Sequence, residues 1–391
     1  MRGDGRVVAF AVASLLVQCG GASIDPSSSR SALTSSATGH PAGGNKLLTV
    51  MTRNLYLGAD LTPVLVAVAS GSNLVAATSG AWAKVQITNF SLRAIALAEE
   101  IAATQPDVVG LQEVFLWRVG PPDSLLPGGG IPATTVVYDF LETLRAELAS
   151  RGLDYRLASS TEHLDMELPA VDLLRGAAPT QFLIDVRATD RDVILTRADL
   201  HTAHPSSGQF RLQNLAPIPG TNRFILRGWA SVEVKFRGES LRIVDTHTET
   251  SAAGNGVFNA LQISELVDML ASEPLPVVVL GDLNAPGALA EDSGSPGYRD
   301  LIERGGFSDS WHALHPDEPG FSCCQSETLT SLASRLHERI DYVLFRGPIS
   351  PRGATLVGAD ASEMVSGLWP SDHAGVVGVL RVENPRFAAG R

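Results

Sequence analysis

Three strings in the chain place groups able to move protons or hold cations beside apolar runs. The run Val277-Val278-Val279-Leu280 breaks at Gly281 into Asp282-Leu283-Asn284. Residues two apart on an extended chain point to the same side, so a carboxylate and an amide are aimed into one space. The carboxylate can hold a metal ion or take a proton from water. The amide can donate to a phosphoryl oxygen without adding charge. The same pair also fits an Asx turn that only closes a strand. The second string is Ser371-Asp372-His373, just ahead of the apolar stretch Val376 to Leu380. The third is Arg339-Ile340-Asp341-Tyr342-Val343-Leu344-Phe345, with a carboxylate inside an apolar run. A buried carboxylate needs a partner, and a histidine is the obvious one. His247, in Val244-Asp245-Thr246-His247-Thr248, is a further candidate, although a lone histidine more often serves structure than chemistry.

The elements that must position these groups are legible in outline. Lys46 to Thr52 reads as a first core strand ending at Arg53-Asn54. Pro63 to Ala69 and Trp82 to Thr104 read as helices, the second with Leu92, Ile95, Ala96 and Ala98 at helical spacing. Pro106-Asp107 ends it, and Val108 to Leu111 is a buried strand leading to Gln112-Glu113. Phe115 to Thr135, rich in Gly and Pro, reads as a loop. Tyr138 to Arg151 and Gln262 to Ala271 read as helices. Asp192 to Thr196, Ala230 to Phe236, Leu241 to Thr246, Val277 to Gly281, Arg339 to Phe345 and Gly375 to Leu380 read as strands, with a hairpin at Arg237-Gly238. Asn54, Glu113, His247, Asp282 and Asn284 all fall at strand ends, where one rim of a sheet lets distant residues meet. Alternating helices and strands point to layered α/β architecture.

Taken in order, Thr52-Arg53-Asn54, Gln112-Glu113, Thr246-His247, Gly281-Asp282-Leu283-Asn284, Arg339-Ile340-Asp341-Tyr342 and Ser371-Asp372-His373 resemble the motifs of the endonuclease/exonuclease/phosphatase superfamily, the deoxyribonuclease I-like proteins. The resemblance runs from about Lys46 to Leu380. It implies a four-layer α/β sandwich, two packed mixed β-sheets flanked by helices, and a metal-dependent phosphoesterase. It also implies roles. Glu113 is the main metal carboxylate, with Asn54 and Asp372 beside it. Asp282 orients or deprotonates the attacking water and can bind metal, Asn284 and His247 contact the scissile phosphate, and Asp341 orients His373. Oxygen-rich ligands suit Mg²⁺ or Mn²⁺, and a Zn²⁺ site would call for more His or Cys. The long stretch between Asn54 and Glu113, and the Pro121-Pro122 and Gly128-Gly129-Gly130 loop, depart from the family's pattern. Because rim loops set substrate choice in such enzymes, these departures leave the substrate open.

The chain has 391 residues, 44% of them hydrophobic, and a formal charge of −12. That supports a large core and excludes a protein held to nucleic acid by overall charge alone. Between Arg187 and Arg242, nine Arg or Lys stand against five Asp or Glu, a local excess of four positive charges. This segment either holds an anionic substrate or is a set of solvated charges. There is no Gly-x-Ser-x-Gly elbow, and Cys323-Cys324 has no helix start or basic setting that would mark a nucleophile.

Residues 1–19 read as a signal peptide: Arg2 and Arg6, the apolar run Val7 to Val17, then Cys19. Leu16-Val17-Gln18-Cys19-Gly20 resembles a lipobox, with Gln18 where a small residue is usual, so a lipidated Cys19 and membrane attachment are expected, plain secretion being the second reading and a cytosolic start the third. Residues 20–45 form a flexible Ser/Gly/Pro-rich linker, residues 46–382 the catalytic domain, and residues 383–391 a tail. In an exported protein Cys323-Cys324 forms a vicinal disulfide or two packed thiols. The functional expectation is an exported enzyme cleaving phosphodiester bonds, foremost in nucleic acid. A phospholipid (sphingomyelinase-like) or small phosphate-ester hydrolase is the alternative, and a non-catalytic binding module on the same fold a third. No obligate protein partner is evident.

Overall fold

The computed structural model describes residues 47–383, apart from 125–129, 175–182, 214–225, 252–255 and 290–292. The signal segment with Cys19, the linker and the tail beyond Glu383 lie outside the described residues. Two mixed sheets carry the fold. The first is eight-stranded and joins β1 (Leu47–Asn54), β2 (Val108–Gln112), β3 (Leu116–Gly120), β4 (Thr135–Asp139), β5 (Tyr155–Val171), β6 (Leu183–Arg197), β13 (Ile349–Val357) and β14 (Gly375–Val382). The second is six-stranded and joins β7 (His201–Gln209), β8 (Gly228–Phe236), β9 (Glu239–His247), β10 (Val277–Asp282), β11 (Ser308–Asp309) and β12 (Asp341–Arg346). The helices are α1 (Thr62–Ser70), α2 (Leu74–Ile87), α3 (Phe90–Thr104), α4 (Phe140–Ser150) and α5 (Gly256–Leu270), with shorter helical turns after β10.

Each sheet holds one parallel pair at its centre, β1 with β2 and β9 with β10; the other pairings are antiparallel. A parallel pair needs a long crossover, which α1 to α3 supply in the first sheet and α5 in the second. The inner faces pack on each other through Leu48, Val50, Val108, Val232, Ile243, Leu280 and Val343. The outer face of the first sheet packs on α2 to α4 through Trp82, Leu97, Leu144 and Val109. The outer face of the second packs on α5 through Ile263, Leu266 and Val279. The result is the expected four layers, helix on sheet on sheet on helix.

Three local readings need correction. The stretch Trp82 to Thr104 is two helices, because the Thr88 carbonyl accepts from Nε of Arg93 and Asn89 takes a left-handed φ of 39° while its side chain accepts from the Leu92 N–H. The expected loop from Phe115 to Thr135 begins with β3 and ends with the start of β4. Trp117 is buried in the helix-side core, and β3 pairs with β6. Third, α5 starts at Gly256 rather than at Gln262. The strands β5, β7 and β13 were not anticipated, and β6 is far longer than Asp192 to Thr196.

Where the sheets approach most closely the chain uses glycine. A Cβ at Gly110 would lie 2.4 Å from Oδ1 of Asp245 and 2.9 Å from Cβ of Leu280, and one at Gly378 would lie 2.7 Å from Cγ1 of Val343. Gly110→Val and Gly378→Val are expected to cost about 1–3 kcal/mol each through overpacking. Gly80→Ala, in α2 with nothing within 4 Å of the new methyl, is expected to gain roughly 0.5–1 kcal/mol. Urea unfolding midpoints of the three variants test this ordering.

Candidate active site

The register of the second sheet builds half the site. Asp282 ends β10 and pairs with His247, the last residue of β9, on one side and with Asp341, the first residue of β12, on the other. Three chemically active residues therefore stand in one row across three neighbouring strands. In the first sheet Asn54, the last residue of β1, pairs with Gln112, and Glu113 follows it. Asp372 and His373 immediately precede β14, which pairs with β1. The two sheets end at the same rim, so all eight predicted site residues come to one place: Asn54, Glu113, His247, Asp282, Asn284, Asp341, Asp372 and His373.

Backbone in an uncommon region aims two of them. Glu113 has φ 55° and Asn284 has φ 46°, values that non-glycine residues adopt at a cost. The Asn284 turn is held by its own N–H donating to Oδ1 of Asp282 at 3.0 Å. This is the Asx turn the sequence allowed, and the amide faces the site as well. Nδ2 of Asn284 lies 3.1 Å from Nε2 of His247. Nδ2 of Asn54 donates to Oε1 of Glu113 at 3.2 Å and to Oδ2 of Asp282 at 3.1 Å, so one amide ties the two sheets together. Oδ1 of Asn54 accepts from the Tyr56 N–H at 2.8 Å, which fixes the amide's orientation.

The two imidazoles differ in charge. Nδ1 of His373 lies 2.8 Å from Oδ2 of Asp341, and its Nε2 lies 3.7 Å from Oδ2 of Asp282. Burial alone would push His373 down, but Asp341, Asp372 and Asp282 outweigh it and hold the ring well above the usual range, as imidazolium. His247 is pushed well below its usual range by burial, with Arg227, His163 and His373 adding to the shift. It is neutral, and Nε2 facing the Asn284 amide acts as acceptor, so Nδ1 carries the proton. Burial, then the Asp341 charge, raises Asp282 to about 7. Burial raises Asp372 to about 6, with Glu113 adding and His373 opposing. Glu113 is raised by burial and by Asp190.

These residues fit a divalent cation. Glu113 and Asp372 remain partly exposed at the mouth while Asp282 and Asn54 are buried behind them. The donors on this side are all oxygen, the set Mg²⁺ or Mn²⁺ prefers. Carboxylates that burial drives toward protonation are those that a cation would return to the charged form.

Several supporting residues escaped the sequence reading. Arg53 is buried, makes two hydrogen bonds of 2.9 Å to the Glu100 carboxylate, and donates to the backbone oxygen of His373. Ser371 Oγ donates to the Asn54 carbonyl at 2.8 Å. Ser322 Oγ accepts from the Ile340 and Asp341 N–H groups at 3.2 and 3.1 Å. Arg93 is fully buried and donates to the carbonyls of Leu55, Tyr56, Thr88 and Pro370. Its signal was available, since a charged residue on the apolar face of a helix demands partners. A second buried pair, His163 Nε2 with Asp192 Oδ2 at 2.7 Å, lies on β5 and β6.

The basic segment is not a free positive surface. Arg187 pairs with Asp165, Arg191 with Asp139, Arg197 with Asp199, Arg211 with Glu265 and Arg242 with Glu273. Arg223 lies outside the described residues. Arg227 differs. It precedes Gly228, which pairs with His247, and its charge acts on His163, Asp190 and His247. Its Nε has no hydrogen-bond partner among the described residues.

A family model described as Endonuclease/Exonuclease/phosphatase family matches residues 84–373, a span that includes every site residue except Asn54. No curated protein matches the chain. Among solved structures, an endonuclease/exonuclease/phosphatase from Beutenbergia cavernae is 21% identical, with 86% of this chain and 72% of that one covered and a TM-score of 0.52. An endonuclease/exonuclease/phosphatase family protein from Bacteroides thetaiotaomicron is 16% identical, with 87% and 100% covered and a TM-score of 0.50. At these identities the likeness is one of fold.

The raised carboxylates give a signed prediction. Asp282 and Asp372 move from 3.8 in the unfolded chain to about 7 and about 6 in the folded one. Across that window the folded state binds more protons than the unfolded state, so these groups lower stability as pH rises. The gain in Tm on adding Mg²⁺ is therefore expected to be large near about pH 8 and small near about pH 4. Thermal melts with Mg²⁺ and with chelator at both pH values check it. An equal gain at both would show that the cation does not sit on these carboxylates.

Proposed function

This chain belongs to the endonuclease/exonuclease/phosphatase family, and we propose that within it the protein is an exported, Mg²⁺- or Mn²⁺-dependent phosphodiesterase acting on nucleic acid. Family membership makes it a metal-dependent hydrolase of phosphate esters. The observation that carries the reading of the chemistry is the row His247, Asp282, Asp341 with His373 across it. It sets a neutral imidazole, an imidazolium and a carboxylate poised near neutrality around one space.

Phosphoryl transfer needs charge neutralisation and an aligned nucleophile more than covalent help. Asp282, at about 7, is placed to take the proton of an attacking water. The His373 imidazolium, held by Asp341, faces the phosphoryl oxygens and offsets their developing charge. Asn284 donates its amide to a non-bridging oxygen, and His247 stands beside it as a neutral ring. Glu113, Asp372 and Asn54 would hold the cation, which when bound polarises the phosphate and draws its charge. Arg227, beside His247 and short of partners among the described residues, supports a substrate with a second anionic group. A nucleic-acid phosphate next to the scissile one fits that description.

A phospholipid substrate is the second reading. Its support is exposed apolar surface: Ile131, Val136 and Val137 around β4, and Leu173, Leu174 and Leu183 at the ends of β5 and β6. The export proposal rests on residues 1–19 and 20–45 of the sequence alone.

Purified protein is expected to cleave DNA or RNA with Mg²⁺ and to stop with chelator. Release of phosphocholine from phospholipid, with nucleic acid untouched, would move the substrate to the second reading, and no turnover on either or on sugar phosphates would overturn the enzyme assignment. Asp282→Asn and His373→Ala are each expected to lower kcat by about 10²–10⁴-fold. Asp341→Asn is expected to lower it less and to shift the alkaline limb of the pH profile downward, because the imidazolium loses its carboxylate. Arg227→Gln is expected to raise KM with little change in kcat. Residual activity that is unchanged in both His373→Ala and Asp282→Asn would break the site assignment.

A further inference from the structure

Cys323 and Cys324 take no part in the hydrolysis described above, yet they stand against its charged imidazole. The stretch Ser322 to Gln325 is threaded between the two segments that carry the Asp341–His373 pair. Cys323 N–H donates to the Glu338 carbonyl at 2.9 Å, Ala374 N–H to Ser322 at 2.7 Å, and Gln325 N–H to Asp372 at 2.7 Å. Cys323 also bridges to His373 through the backbone. This threading brings both sulfurs and a ring nitrogen of His373 within 4.8 Å of one another. The sulfurs are joined as a disulfide, and in that form they are poor ligands.

We propose that reduction turns this pair into a binding site for a thiophilic divalent cation, Zn²⁺ or Cd²⁺, ligated by Cys323, Cys324 and His373, and that filling it stops hydrolysis. The second half rests on the reading of His373 as a catalytic group. The balance is simple. A dithiol or phosphine reductant supplies two electrons, and two protons are taken up as the S–S bond breaks into two thiols. The cation then displaces both thiol protons and one ring proton of the His373 imidazolium to solvent. Zn–S bonds of about 2.3 Å and Zn–N bonds of about 2.0–2.1 Å hold tetrahedral donors roughly 3.5 Å apart; the His373 nitrogen already lies within 4.8 Å of both sulfurs, and breaking the S–S bond frees the sulfurs to part. Two sulfurs and an imidazole form a soft set, unlike the oxygens of Glu113, Asp372 and Asn54, so the two sites select different ions. His373 engaged as a ligand can no longer serve as an imidazolium, so excess Mg²⁺ does not relieve the inhibition.

The full-length protein carrying Cys19→Ser, which removes the third cysteine, tests this. Oxidised and phosphine-reduced samples are titrated with Cd²⁺ in excess Mg²⁺, following the thiolate charge-transfer absorbance and hydrolysis together. The reduced protein is expected to bind one Cd²⁺ with a thiolate band, to lose about 10²-fold or more of its activity, and to recover it with a chelator followed by Mg²⁺. The oxidised protein, and Cys323→Ser/Cys324→Ser or Cys323→Ala/Cys324→Ala under the same reductant, are expected to keep their activity and show no band. His373→Ala is expected to weaken the band's apparent affinity by ~10-fold or more. Equal Cd²⁺ inhibition in the cysteine variants would place the ion on the carboxylates and overturn the proposal. A full thiolate band with activity retained would overturn the role of His373 as ligand. If no substrate is turned over, the band and its dependence on His373 still decide whether the site exists, separately from the hydrolase reading.

Discussion

Everything at the rim depends on keeping the Asp282 carboxyl buried between two imidazoles and a second carboxylate. A lone carboxylate in such a place would simply protonate. Asp282 accepts from Asn54 and from the Asn284 N–H, and the His373 imidazolium stands 3.7 Å away. These contacts oppose burial and the Asp341 charge, and the balance leaves the group near neutrality instead of far above it. A base in that range is half available at physiological pH and strong enough to matter, which is the compromise general-base catalysis favours.

That arrangement requires the two sheets to end in register, and buried polar groups far from the reacting atoms enforce it. Arg53 clamps the His373 backbone while pairing with Glu100 in α3. Arg93, also in α3, gathers carbonyls from the turn after β1 and from Pro370, just before the Ser371 to His373 segment. One helix thus holds both the Asn54 corner and the His373 corner. Burying two arginines is costly, and here the cost is offset because each finds several oxygens. The glycines at Gly110 and Gly378 act in the same direction, letting the sheets approach closely enough for an Asn54 amide to reach Asp282.

How much of this was legible in the sequence depended on how local each signal was. The run into Asp282-Leu283-Asn284 showed both the strand and its chemical end, because four apolar residues followed by Gly and polar groups is a pattern written in nine positions. The order of the six motifs carried the fold. Arg53 was visible only as a neighbour of Asn54, since its partners lie 47 and 320 positions away. His163 and Asp192 gave no functional signal, since their strands carry no motif and their meeting depends on the long pairing of β5 with β6, while Arg227 was visible only as one charge of the basic segment. The break at Thr88-Asn89 was hidden because apolar spacing continues across it, and β3 was hidden because Gly and Pro nearby dominate its composition.

The different charges of the two histidines follow from where the sequence puts their acidic neighbours. His373 has Asp341 across the sheet edge, Asp372 beside it and Asp282 in front. His247 touches Asp282 only at 3.5 Å and has positive groups, Arg227 and His163, behind it. A negatively charged phosphate entering between them meets imidazolium on one side and a neutral ring on the other. The field across the site therefore has a direction, strongest toward His373 and the Asp341 end of the row. Charge that develops on a phosphoryl or leaving oxygen is met by that imidazolium and by the cation that Glu113, Asp372 and Asn54 would hold.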